Sequence, residues 1–175
     1  SIDYHLIEVS LKDKPKHMLS ISPKGTVPVL ELPDRVIEES MDIVFWALEQ
    51  RLPSSWQVLD DAEHQGALLL HQKLHDLFIP SLNRYKYPNK HKDVCKPDEE
   101  EKLLDYMSTL SEGLEKEGFL VAKTHSWLDI SVLPFIRQLK KVDEDWFNDK
   151  APVRISSWLK DWLETEAFTI VMKKT

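Results

Sequence analysis

One segment constrains the structure of this chain more than any other: Ser22-Pro23-Lys24-Gly25-Thr26-Val27-Pro28-Val29-Leu30. Proline has no N–H to give to a β-sheet, so Pro28 belongs at the first residue of a strand or at a sheet edge. The carbonyl and N–H of Val27 are then free to pair with an extended, peptide-like ligand. The sequence leaves open whether the Val27-Pro28 bond is cis or trans.

A short hairpin and a helix are predicted directly after this segment. Residues 29–32 and 36–38 have the composition of paired strands, and the turn signal at 33–35 joins them. Ser40 begins a helical pattern of apolar residues, which stops at Arg51-Leu52-Pro53.

The pair Glu39-Ser40 stands where that helix begins. A helix start carries about half a positive charge and several unpaired N–H groups, so it favours a docked carboxylate. Glu39 beside it can hold an ammonium group, and the pair therefore suits the α-amino acid end of a γ-glutamyl group. The alternative is that Ser40 only caps the helix and Glu39 is a solvated acid.

The rest of the chain also shows regular patterns. Residues 4–9 alternate as a strand does, and 16–21 form a short amphipathic segment. Ser126 and Asp129 are predicted to form a capping box at a helix start. Beyond a break in periodicity at 53–60 we expect helices at residues 61–87, 97–117, 126–140, 144–148, 152–165 and 166–173.

In their order and separation, these motifs resemble a glutathione transferase of a cysteine-type, omega-like or related bacterial class. The resemblance implies an α+β, mostly α fold, with a partial thioredoxin-like part at 1–52, a linker at 53–60 and an all-helical domain at 61–175. It also implies that the first strand and helix of the thioredoxin-like part, and the catalytic Ser, Tyr or Cys between them, have no counterpart in this chain. No catalytic residue is therefore assigned.

The resemblance also assigns a glutathione site. Lys14, which precedes Pro15, would face the glycyl carboxylate, Val27 and Pro28 the cysteinyl part, and Glu39 and Ser40 the γ-glutamyl end. The alternative for Lys14 is an ordinary surface lysine.

The function implied by the resemblance uses glutathione as a co-substrate. A complete protein would conjugate glutathione to a small electrophile or reduce a mixed disulfide, and would form a homodimer. Two alternatives stay open: a non-catalytic module of the same fold that mediates protein contacts, and a helical scaffold whose small sheet completes a dimer.

An unpaired strand edge is expected near the start of the chain. A two-stranded remnant of a larger sheet invites pairing with another chain. We therefore expect an exchanged element, an added chain or local disorder near residues 1–10.

Composition excludes several other functions. A formal net charge of −7 and a pI near 5.5 disfavour nucleic acid as a partner. No run of eighteen apolar residues is present, so we expect no membrane span. A single cysteine permits no internal disulfide, which makes a reducing cytoplasm the default location.

Two further features have a functional and an ordinary interpretation. His64, His71 and His75 share one helix face, where they could bind a metal, but no acidic or cysteine ligand is spaced to complete a site. We interpret them as cleft or interface residues and expect no metal. Cys95, in the polar connector 90–97, is interpreted as a loop thiol.

Overall fold

The computed structural model describes residues 2–91 and 94–173. The chain forms two compact units, Ser1–Ser54 and Ser55–Thr175. Helices predominate and a small sheet is present, which confirms the α+β, mostly α class.

The first unit contains α1 (Lys16–Ile21), β1 (Leu30–Glu31), β2 (Val36–Ile37) and α2 (Ser40–Gln50). The strands are antiparallel, with Leu30 opposite Ile37 and Glu31 opposite Val36. The predicted hairpin is thus confirmed, although its strands are shorter than expected. The N–H of Leu32 donates to the carbonyl of Arg35 at 2.8 Å and closes the turn.

The predicted strand at residues 4–9 is wrong. These residues adopt no regular structure, and Tyr4, Leu6 and Ile7 are 74%, 60% and 62% exposed. A strand needs a neighbour that completes its hydrogen bonds, and within residues 2–91 and 94–173 the sheet consists of β1 and β2 alone. Ser1 lies outside the described residues, and pairing of this segment with another chain stays a prediction.

The second unit is helical. A long helical segment begins with α3 (Asp61–Lys73), widens into a π-helical turn (Leu74–Phe78) and continues as α4 (Ile79–Lys86). In the wide turn the N–H of Ile79 donates to the carbonyl of Leu74, five residues earlier. After a 3₁₀ turn at Pro88–Lys90 come α5 (Lys96–Glu117), α6 (Trp127–Val142), α7 (Glu144–Lys150), α8 (Val153–Leu163) and α9 (Glu166–Val171).

The hydrophobic core belongs to this helical unit. Side chains three or four positions apart on α5 and α6 face inward, as amphipathic helices require. The Tyr106 hydroxyl donates to the carbonyl of Leu70 at 3.1 Å and so satisfies a buried polar group. Fully buried residues include Phe78, Leu82, Leu103, Met107, Leu110, Leu128, Val132, Ile136, Leu139, Phe147 and Ile155.

The first unit has far less buried apolar surface. Among its described residues, Met18 is the one hydrophobic side chain that is buried. No residue of α2 is buried, although Ile43, Phe45 and Trp46 are apolar. The candidate site therefore lies on an open surface.

In the described part of the chain no helix is both long and apolar enough to cross a bilayer.

Candidate functional site

The loop that precedes the hairpin turns at Gly25. Its φ of +60° lies in the left-handed region, which a side chain disfavours. A Cβ at this position would lie 3.1 Å from Leu19 Cδ2 and 3.5 Å from Lys14 Nζ. Glycine therefore lets the half-buried Lys14 side chain reach across the loop.

Val27 and Pro28 follow this turn at the surface. The bond between them is cis. Val27 is 45% exposed and Pro28 is also exposed. No group in the described ranges forms a backbone hydrogen bond with Val27, so its carbonyl and N–H face solvent or a ligand.

Helix α2 begins without a side-chain cap. Glu39 has extended backbone angles (φ −102°, ψ 132°), and among the described residues no side chain accepts from the first-turn N–H groups. Ser40 is the first helical residue and is exposed. The free N–H groups and the helix dipole make this helix start suitable for a carboxylate.

Two contacts connect the loop to the residues that precede α2. The hydroxyl of Ser22, which is fully buried, donates to Glu38 Oε1 at 2.6 Å. The ammonium of Lys24 donates to Glu39 Oε1 at 3.2 Å. This hydrogen bond, together with the charges of Glu39 and Glu38, raises the pKa of Lys24.

Sequence reasoning did not single out Lys24. The sequence places it in the decisive loop, but which carboxylate it meets depends on how the loop folds against residues 38 and 39. The sequence offered two separate signals: a lysine in the loop, and an acid immediately before a helix start.

A groove of about 470 Å³ lies beside this ion pair. Its walls carry four carboxylates and two cations, and its apolar lining comes from β2 and α2. Of the predicted site residues, Glu39 lines this groove, whereas Lys14, Val27, Pro28 and Ser40 are not among its lining residues. The lining consists of Lys24, Arg35, Val36, Ile37, Glu38, Glu39, Asp42, Phe45, Trp46 and Glu49.

Two histidines of the long helical segment, His71 in α3 and His75 in the π-helical turn, pack against each other, and His71 also packs against an aromatic ring. The ring centroids of His71 and Trp127 are 5.6 Å apart, and those of His71 and His75 are 4.6 Å apart. Burial, with a smaller effect from His75, lowers the pKa of His71 and favours its neutral form. Among the described residues no three His, Cys, Asp or Glu side chains are grouped to hold a metal ion.

Cys95 offers no comparable site. It is exposed and precedes α5. Residues 92 and 93 of its connector lie outside the described residues.

Known proteins resemble this chain in sequence and in fold. A family model described as "Glutathione S-transferase, N-terminal domain" matches residues 1–56. The protein named glutathione S-transferase DHAR3, chloroplastic, from Arabidopsis thaliana is 25% identical over 179 residues. That match covers all of this chain, and the chain spans 64% of the length of that relative.

Solved structures share the fold of both units. Glutathione transferase Omega 3C from Trametes versicolor matches with a TM-score of 0.76 and 18% identity over 99% of this chain and 79% of that chain. Glutathione S-transferase-I, solved with the ligand lactoylglutathione, matches with a TM-score of 0.74 and 18% identity over 97% of this chain and 86% of that chain. Residues 1–56 match the N-terminal domain of glutathione S-transferases, and the Arabidopsis relative and the shared fold agree with that match, so the comparisons support a member of the glutathione S-transferase family.

Proposed function

We propose that this chain binds glutathione as a co-substrate. Glu39 and Ser40 hold the γ-glutamyl end, Val27 and Pro28 lie along the cysteinyl part, and Lys14 faces the glycyl carboxylate. The observation that supports this most is the uncapped start of α2 beside an exposed carboxylate. A free amino acid end needs both groups, because its carboxylate seeks N–H donors and its ammonium seeks an acid.

The reaction that follows binding is proposed at the level of its class. The sulfur of bound glutathione, as a thiolate, forms a bond to a small electrophile, which expels a leaving group or accepts the displaced electron pair and a proton. Alternatively it forms a bond to one sulfur of a mixed disulfide, whose other sulfur leaves as a thiolate. The group that stabilises the glutathione thiolate is not assigned in this chain. The family and the lactoylglutathione-bound structure support glutathione as the ligand.

Assembly and location complete the proposal. We propose a homodimer, by family, and a cytoplasmic location, because a single cysteine suits a reducing compartment. The name of the Arabidopsis relative places that protein in the chloroplast.

Thermal unfolding with and without glutathione tests binding. A ligand at ten times its dissociation constant stabilises the folded state by about 1.4 kcal/mol, so we expect a higher thermal midpoint in millimolar glutathione. The peptide Glu-Cys-Gly with an ordinary α-linkage is the matched control and should raise the midpoint less. An unchanged midpoint in glutathione contradicts the proposal.

A double variant assigns the effect to the site. Glu39→Gln with Ser40→Ala should reduce the glutathione-induced rise while leaving the ligand-free midpoint nearly unchanged, because both side chains are exposed. A full glutathione response in this variant would remove Glu39 and Ser40 from the site.

A second candidate is a non-catalytic protein-interaction module. The exposed apolar residues Tyr4, Leu6 and Ile7, together with the absence of buried residues in α2, favour contact with another chain. This candidate predicts self-association or partner binding by light scattering, together with no thermal response to glutathione.

A further inference from the structure

The ion pair between Lys24 and Glu39 lies at the place where the proposed ligand brings its own ammonium. Lys24 Nζ is 3.2 Å from Glu39 Oε1, and the two side chains are 60% and 68% exposed. An ammonium of the protein therefore already meets the carboxylate that is proposed to receive an ammonium of the ligand.

The local structure holds Lys24 near Glu39. The N–H of Gly25 donates to the carbonyl of Ser22 at 2.9 Å, and the buried Ser22 hydroxyl donates to Glu38 at 2.6 Å. The first bond closes the turn that contains Lys24, and the second holds the start of that turn against the segment that leads into α2.

We propose that Lys24 is a specificity-determining residue of the glutathione site, whose ammonium competes with the amino group of the ligand for the Glu39 carboxylate. The inference rests on the proposed function. When glutathione binds, its amino group takes the place of Lys24 Nζ at Glu39, and Lys24 turns to solvent or to Glu38, which also attracts it.

The expected size of this competition is modest. An ion pair between exposed side chains contributes little to stability, because water and salt screen it and two long side chains lose freedom. Removing the competitor should therefore tighten glutathione binding by about two- to fivefold. The gain should shrink at high salt, since both interactions are screened.

Calorimetric titration with two ligands tests the proposal. Lys24→Met removes the ammonium but keeps most of the apolar stem, and Lys16→Met, at an exposed position of the same unit, controls for the loss of one positive charge. The ligands are glutathione and N-acetylglutathione, whose blocked nitrogen carries no charge. We expect Lys24→Met to tighten glutathione two- to fivefold and to leave N-acetylglutathione unchanged, and Lys16→Met to change neither.

A double-mutant cycle adds a second readout. In a Glu39→Gln background there is no carboxylate to compete for, so Lys24→Met should no longer tighten glutathione binding. A gain that persists in this background would overturn the competition.

The other results are equally decisive. If Lys24→Met weakens glutathione binding or leaves it unchanged, the competitor role is wrong. If the variant tightens both ligands equally, Lys24 acts through general charge, and the proposal is also overturned. Absence of binding to wild type and variants alike would instead contradict the proposed function, and the inference would end with it.

Discussion

Two aspartates belong to capping boxes at helix starts, Asp60 as the N-cap of α3 and Asp129 as the third residue of α6, and they differ in burial. Asp129 is fully buried and accepts from the Ser126 N–H at 2.9 Å and from the Trp158 Nε1–H at 3.0 Å. Asp60 is exposed and accepts from the Glu63 N–H at 2.8 Å. Water can replace Asp60 as the acceptor at its exposed site but cannot reach the buried donors of Asp129.

Removing each carboxylate should therefore have unequal effects. We expect Asp129→Ala to lower the free energy of unfolding by about 2–4 kcal/mol, because two buried donors lose their acceptor. Asp60→Ala should cost about 1 kcal/mol, as an exposed cap does. Urea denaturation measures both, and equal losses would contradict the role of burial.

A buried carboxylate on α5 should make stability depend on acidity. Glu99 is 5% exposed and meets Arg84 Nε at 2.9 Å and Lys102 Nζ at 3.0 Å through Oε1. Burial alone would raise its pKa, but hydrogen bonds from Arg84, Lys102 and Ser81 outweigh burial and lower the pKa to about 2.

Because the folded pKa lies below the ordinary value of 4.5, the stabilisation from Glu99 is present above pH 4.5 and is lost as the pH falls toward 2. The loss is on the order of 3 kcal/mol. The free energy of unfolding should therefore fall less between pH 7 and pH 3 in Glu99→Gln than in the wild type, measured at pH 7, 4 and 3. The exposed Glu112→Gln is the control, and an identical acid slope in wild type and Glu99→Gln would contradict the prediction.

At the scale of elements, two helical glycines differ in the space around them. A Cβ at Gly113 would lie 2.3 Å from the carbonyl oxygen of Leu120, where the chain folds back after α5. A Cβ at Gly66, in α3, would meet nothing within 4 Å. The first glycine permits close packing, whereas the second only weakens its helix.

The same substitution should therefore have opposite effects at these positions. Gly113→Ala should destabilise the protein by about 1–3 kcal/mol through overpacking against main chain. Gly66→Ala should stabilise it by about 0.5–1 kcal/mol, because alanine favours helix. The thermal midpoint should fall in Gly113→Ala and rise in Gly66→Ala. A stabilising Gly113→Ala would contradict the close approach to Leu120.

The elements that the sequence predicted well are those whose chemistry is local. The hairpin follows from Pro28 and the turn before Val36, and the start of α6 follows from the spacing of Ser126 and Asp129. The strand at 4–9 was predicted wrongly, because alternation describes one strand and not the neighbour that must pair with it. The wide turn at Leu74–Phe78 was not predicted, because its residues have ordinary helical spacing.

In the candidate site, too, the local features could be predicted from the sequence and the contacts between distant residues could not. The helix start at Ser40 and the exposed main chain at Val27 could be anticipated from residue types near each position. The contact between Lys24 and Glu39 joins residues fifteen positions apart, so it depends on the folded loop. Sequence patterns give candidates for a site, but the distances between them come from the fold.

For the whole molecule, the contrast in burial between the two units predicts a contrast in local stability. Amides exchange with solvent when a segment opens, and segments with few buried apolar contacts open at lower cost. In the described residues of the first unit one hydrophobic side chain is buried, whereas α5 and α6 carry much of the core of the second.

Hydrogen exchange measured by mass spectrometry should show this contrast. We expect amides of α2 to exchange faster than those of α5 and α6, and glutathione to slow exchange at the start of α2 selectively. Equal protection of α2 and α6 without ligand would show that the first unit is stabilised by something other than its own buried side chains.

The wide turn at Leu74–Phe78 also bears on how this chain is compared with relatives. It holds one residue more than an α-helix of the same span, so a relative that lacks that residue can keep both flanking helices in phase. A deletion inside α3 would instead rotate every later side chain by about 100°. In an alignment, a one-residue gap in this region therefore belongs within 74–78, where insertion or loss leaves the buried stripes on both sides in register.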